Sequence, residues 1–195
     1  MNRFGARLPL IAGPLITAVG LLLFARPGVG GSYWTTYFPA VVVMGLGMAI
    51  SVAPLTTTVM GSVGERRAGL ASGVNNAVSR VAAVLAIAIF GPVVLGTFAN
   101  SLDSRLENLD LPEEQRVLLL EQSVNLGAAE IPASFDADLT ARLNVVFNEA
   151  FIDGYRIVLY VTAVLAVLAA LTAAVFIQDE KTPAVEGTMQ SAEAA

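Results

Sequence analysis

The stretch that decides the fold runs from Gly61 to Phe98, GSVGERRAGLASGVNNAVSRVAAVLAIAIFGPVVLGTF. It opens on a charged hairpin, Glu65-Arg66-Arg67, passes through Ser72, Asn75, Asn76, Ser79 and Arg80, and ends as an apolar run broken only by Gly91-Pro92 and Gly96. Ser72, Asn76 and Arg80 recur every fourth residue, so on a helix they form one polar stripe, flanked by Asn75 and Ser79. A charged turn feeding an apolar helix that carries a single Arg has the pattern of a membrane-transport helix. An Arg within the bilayer costs about 3 kcal/mol on insertion scales. It therefore either faces protein or water, or snorkels to the interface beside the hairpin. Gly69 and Gly73 have the spacing that lets two membrane helices approach closely.

Composition points the same way. Of 195 residues, 55% are hydrophobic and 14% charged, against about 25% charged in a soluble domain. Nine Pro and seventeen Gly sit largely inside apolar segments, where membrane helices tolerate them. The reading is an all-α integral membrane protein. With no Cys and no His, thiol chemistry, imidazole acid–base work and the usual zinc ligands are removed. The basic residues are few and scattered, which leaves no nucleic-acid footprint. The Gly-rich GVGG at 28–31 lacks the Gly-Lys-Ser/Thr that completes a phosphate loop, and the acids lack the EF-hand register. No enzyme, cofactor or metal is expected.

Four transmembrane helices are expected, at about 8–25, 37–60, 69–98 and 155–177. The first, LPLIAGPLITAVGLLLFA from Leu8 to Ala25, is just long enough for a hydrocarbon core of roughly 30 Å. Arg3 and Arg7 precede it, so a signal peptide competes. The run is long for such a segment, and no small-residue cleavage site follows it. The Gly-rich turn of residues 27–36 ends in Tyr33, Trp34, Tyr37 and Phe38, an aromatic belt of the interfacial kind. In the second run, Gly45, Ala49 and Ala53 share a face suited to close helix contact. Pro54 is expected to kink this helix, with Thr56, Thr57 and Thr58 placed to re-satisfy the freed carbonyls. The fourth run is entered through Asp153-Gly154-Tyr155-Arg156.

Between the third and fourth runs the chain turns acidic, with only Arg105, Arg116 and Arg142 as basic residues in 99–153. Pro112-Glu113-Glu114 reads as a helix start. Leu139, Leu143, Val146, Phe147 and Phe151 recur at three and four, which predicts an amphipathic helix. The expected organisation is three membrane helices in 1–98, an acidic loop with amphipathic helices in 99–153, the last membrane helix in 154–178 and a disordered tail in 179–195. If all four runs cross, Arg3, Arg7, Arg66 and Arg67 lie on one side, which the positive-inside rule makes cytoplasmic. Both termini are then inside and the acidic loop is extracytoplasmic.

Arg67-Ala68-Gly69-Leu70-Ala71-Ser72-Gly73-Val74-Asn75-Asn76, followed by Arg80, resembles the penultimate helix of major facilitator superfamily drug/proton antiporters, most closely the fourteen-helix EmrB/QacA type. Three further pieces agree in order. Asn2-Arg3-Phe4-Gly5-Ala6-Arg7 resembles the end of a cytoplasmic loop. Gly45-Leu46-Gly47-Met48 with Pro54-Leu55 resembles the next helix, and Ala150-Phe151-Ile152-Asp153-Gly154-Tyr155-Arg156 the entrance to the last. The resemblance implies the last four of fourteen helices, a C-terminal fragment whose N-terminal half is missing. It implies part of a proton-driven exporter of drugs or other small molecules, multi-pass in the plasma (cell inner) membrane. The partners it implies are the lipid bilayer and, in the full-length parent, small-molecule substrate and protons.

The resemblance also implies roles. Spans one and four face lipid. Span two lines the substrate cavity, with Met44, Met48, Ser51, Pro54, Thr56, Thr57 and Thr58 as candidates. Span three carries the polar stripe, Ser72, Asn75, Asn76 and Arg80, to the interface between halves. Arg66 and Arg67 form the cytoplasmic hairpin. No Asp or Glu lies within the four apolar runs, so the carboxylates expected for proton exchange have no counterpart here, and Asp153 lies only at an interface. Two other readings stand beside this one. The chain is a membrane-anchored extracytoplasmic interaction protein working through 99–153, or a small complete four-helix oligomeric membrane protein.

Overall fold

The computed structural model describes residues 6–61, 63, 65–109, 111–128, 131–132 and 135–177. The motif residues Asn2 to Gly5 and the tail read as 179–195 lie outside them. The helices are α1 (Arg7–Phe24), α2 (Phe38–Gly61), α3 (Ala68–Leu106), α4 (Glu113–Glu121) and α5 (Ala137–Phe176). A π-turn, Tyr33–Tyr37, leads into α2, and short 3-10 turns occupy Glu65–Arg67 and Gln122–Ala128. No strand occurs among the described residues. Four helices are long and apolar enough to cross a membrane, so the all-α, four-span reading is borne out.

Two helices outrun their expected spans. α3 has 39 residues and α5 has 40, each about 60 Å at 1.5 Å per residue and nearly twice a hydrocarbon core. α5 starts where the Asp136 side chain accepts from the Leu139 N–H at 2.7 Å, an N-cap that satisfies one of the orphan donors. The amphipathic periodicity of Leu139–Phe151 then passes into the apolar run with no Pro to break it. The predicted amphipathic helix is thus the first part of α5. In α3, Gly91, Pro92 and Gly96 all sit inside the continuous helix.

Burial separates two regions. Phe98, Leu102 and Leu106 of α3, Leu119 of α4, and Leu143, Phe147 and Ala150 of α5 form one apolar core. The Phe98 and Phe147 rings meet at 6.2 Å. Three helices enclose this core as a soluble bundle would, by removing apolar surface from water. A second cluster joins Ala18, Leu21 and Ala25 to Leu159 and Ala163, packing α1 on α5.

α1 and α2 cross at glycines. A Cβ on Gly20 would lie 2.5 Å from the Met44 nitrogen, and one on Gly47 would lie 2.5 Å from the Thr17 nitrogen. Backbone therefore touches backbone, as small-residue membrane interfaces allow. This corrects two expectations. Gly45 faces open space and Ala49 and Ala53 are exposed, and Gly69 and Gly73 likewise meet nothing. The opposite face of α2 packs instead, with Gly13 of α1 against Gly47 and Ser51, and Gly20 against Met44. α2 and α3 are left the least covered, with 11% and 6% of their apolar windows buried against 28% for α1 and 22% for α5.

Candidate functional site

The polar stripe lies on the least covered helix. Ser72 and Asn75 are half-buried, and Asn76 and Arg80 are exposed. Ser79 donates to the Asn75 carbonyl at 2.8 Å, a bond back along its own helix that keeps the hydroxyl satisfied. Arg80 forms no ion pair among the described residues. This guanidinium with five donors lies on a span beside Val78, Val81 and Val84, all exposed. Arg66 and Arg67 are both exposed in the short turn that precedes α3.

The seven residues assigned to a cavity divide between two sides of α2. Met44 packs on the α1–α5 cluster. Ser51 faces Gly13 of α1 and donates to the Gly47 carbonyl at 2.8 Å. Met48, Thr56 and Thr57 are exposed, and Pro54 is half-buried. Thr56 donates to the Val52 carbonyl at 3.1 Å, and Thr57 to those of Ala53 and Pro54 at 3.2 and 3.0 Å. Pro54 frees the Ile50 carbonyl, four residues back, and these threonine bonds go to its neighbours instead. Thr58 Oγ1 is buried without a hydrogen-bond partner among the described residues. The Pro54 carbonyl one turn behind it is already taken by Thr57.

The sequence reading missed an ionic network at the far end of α3 and α5. Arg105 pairs with Glu149 and, at 2.9 Å, with Asp153. Ser101 donates to Asp153 at 2.7 Å and accepts from Arg105 Nε at 3.2 Å. Asp153 also faces Arg156 at 3.8 Å. Arg156 donates to the carbonyls of Ala25, Arg26 and Pro27 at 3.0, 3.3 and 3.1 Å, capping the end of α1, where a cation complements the helix dipole. One chain of charges therefore ties α1, α3 and α5 together. Arg116 pairs with Asp103 and Glu107 to hold α4 on α3, and its hydrogen bond to Asp103 raises its affinity for its proton. The signal for the network lay in two i, i+4 pairs, Ser101 with Arg105 and Glu149 with Asp153. Nothing local joins one pair to the other across 44 residues or more.

No protein-family model and no solved structure matches the chain. Curated sequences do. The chain is 29% identical over 181 residues to the Multidrug resistance protein Stp of Mycobacterium tuberculosis, covering 86% of this chain and 32% of the relative. It is 25% identical over 180 residues to the Tetracenomycin C resistance and export protein of Streptomyces glaucescens, covering 89% and 32%. The chain is similar to drug resistance and export proteins. The resemblance to drug exporters read from the third span and its flanking motifs is thereby borne out. With four helices able to cross the bilayer, the chain is a multi-pass membrane protein. It spans about a third of the length of the curated relatives it matches.

Proposed function

We propose that the four spans form the C-terminal part of a secondary exporter of drugs or other small molecules, of the major facilitator type, driven by the proton gradient across the cell inner membrane. Arg80 carries the reading. It is an exposed guanidinium without an ion-pair partner among the described residues, on the least covered span, in a chain similar to drug resistance and export proteins. A cation so placed is stable only against water or another protein surface. In this reading Ser72, Asn75, Asn76 and Arg80 face a complementary set of helices and hydrogen-bond to it in one state of an alternating-access cycle. Met48, Thr56 and Thr57, with Pro54, line the substrate path. The flexible thioether of Met48 suits varied apolar ligands, and the unpartnered Thr58 hydroxyl is a group that substrate or water would satisfy. Met44 and Ser51 hold α2 from behind. The apolar runs contain no Asp or Glu, so the coupling carboxylates belong to the complementary helices. Both termini and the Arg66-Arg67 turn are cytoplasmic, and the acidic segment faces outward.

The test is a chimera in which this chain replaces the matching segment of the Mycobacterium tuberculosis relative, assayed for dye efflux from cells. The chimera is expected to export. Arg80→Ala is expected to lower efflux about tenfold, equivalent to one or two lost hydrogen bonds to a charged group, with an unchanged amount of protein in the membrane. Equal efflux by the two chimeras would remove Arg80 from the mechanism and the reading with it.

A further inference from the structure

At the turn between α1 and α2 lies a cleft of about 310 Å³, at the small end of the range for ligand sites. Arg26, Thr35 and Thr36 line its polar part, and Leu23, Pro39 and Ala40 its apolar part. The turn is held in shape from within. Gly30 and Gly31 adopt φ of 87° and 102°, a region open to Gly at little cost. The Tyr37 hydroxyl reaches back to the carbonyls of Gly28 and Gly30 at 3.4 and 3.3 Å.

Arg26 has no ion-pair partner among the described residues, in a chain whose net charge is −5. Its position next to the end of α1 would normally expose it, and any bound anion, to negative carbonyls. Those of Ala25, Arg26 and Pro27 accept from Arg156, so a second cation stands against them. Depth fixes what kind of anion is at hand. The apolar run of α1 ends at Ala25, which sets Arg26 at the boundary between hydrocarbon and headgroups. Beside the cleft, Tyr33, Trp34 and Phe38 form a ring cluster with centroids 5.1 to 6.3 Å apart. Trp34 is 69% exposed, as an interfacial belt residue would be.

From this geometry we infer that the cleft binds the phosphate of an anionic phospholipid headgroup. The Arg26 fork and the Thr35 and Thr36 hydroxyls take the phosphate oxygens, while the apolar wall formed by Leu23, Pro39 and Ala40 takes the start of the glycerol and acyl chains. The inference is independent of the exporter reading, since it concerns only the turn.

Trp34, the one tryptophan of the chain, is a built-in reporter beside Thr35. The full chain is reconstituted in phosphatidylcholine vesicles, and brominated phosphatidylglycerol or brominated phosphatidylcholine is titrated in. The phosphatidylglycerol is expected to quench Trp34 at about fivefold lower mole fraction, the scale of one Arg beside an anionic lipid. Arg26→Gln is expected to erase the difference. The double variant Thr35→Val with Thr36→Val, which keeps every charge and therefore any general attraction to an anionic surface, is expected to weaken quenching by both lipids, since both carry the phosphate diester that the hydroxyls hold. Circular dichroism checks that each variant keeps its helix content. Equal quenching by the two lipids would overturn the assignment. So would quenching by both lipids that the threonine changes leave untouched, or a preference that millimolar inorganic phosphate abolishes, since that would make free phosphate the ligand.

Discussion

Gly47→Ala is expected to weaken the fold by about 2 to 3 kcal/mol, the upper part of the range for overpacked sites, whereas Gly45→Ala, two residues away, is expected to leave it unchanged or slightly stabilised. The added methyl at 47 would sit 2.4 Å from Thr17 Oγ1, 2.5 Å from the Thr17 nitrogen and 2.7 Å from the Gly13 carbonyl oxygen. Two of these three are backbone atoms of a helix and cannot rotate away, so α1 and α2 must separate. In lipid, separation is costly because close packing is itself much of what holds helices together. The Thr17 and Ser51 hydroxyls are spent on carbonyls of their own helices, Gly13 and Gly47, so they do not compensate by bonding across the gap. At Gly45 the methyl would meet nothing within 4 Å, and Ala is a better helix residue than Gly by up to about 1 kcal/mol. Titration of the purified chain with a denaturing detergent, followed by circular dichroism, measures both variants. Equal midpoints for the two would refute the glycine crossing.

The second large effect concerns Arg105. Arg105→Met is expected to cost about 2 kcal/mol. Each hydrogen bond to a charged group contributes on the order of 1.5 to 3 kcal/mol when shielded, and these are discounted because the three side chains are 32% to 44% exposed. The substitution removes the cation that Glu149 and Asp153 share, and leaves two carboxylates one helical turn apart on α5 facing each other and the Ser101 hydroxyl. Adding Glu149→Gln to Arg105→Met is then expected to recover part of the loss, because it removes the repulsion between those acids. A double-mutant cycle on the same detergent titration reads the coupling. A cycle in which the two losses simply add would mean that the ion pair contributes nothing. The apolar core of Phe98, Leu102, Leu143 and Phe147 lies on the same two helices, so α3 and α5 stay packed in every variant and the comparison remains one of electrostatics.

The polar pattern of α3 was legible in residue order. The stripe of Ser72, Asn76 and Arg80 follows from helical period alone, and in the structure Asn76 and Arg80 are exposed while Ser72 is half-buried. The cavity residues of α2 were less legible. Met44 and Met48 are one turn apart and chemically alike, yet Met44 packs on the α1–α5 cluster while Met48 is exposed. The rotation of α2 about its axis sets that difference, and the rotation is set by α1. The threonines after Pro54 have the right chemistry for capping carbonyls, but helical geometry sends the Thr56 and Thr57 hydroxyls only three or four residues back, short of the Ile50 carbonyl that the proline frees. Arg156 read as part of an entrance motif. Its bonds to carbonyls 129 to 131 residues away have no local signature at all.

The number of spans was decided by the sequence itself, because transfer of an apolar run into lipid is a sum over its residues and depends on no partner. The helical character of those runs follows from the same cause, since a backbone in hydrocarbon must satisfy its own hydrogen bonds. The tertiary structure decided which face of each helix is used. Gly47 rather than Gly45 touches α1, and Asp153 meets Arg105 rather than water, because such choices depend on the shape and charge of a second helix far away in the chain. Gly61–Phe98 shows both halves of this division. Its residues determined that a polar stripe lies on an apolar helix, and the tertiary packing determined that Asn76 and Arg80 are exposed while Ser72 and Asn75 are half-buried.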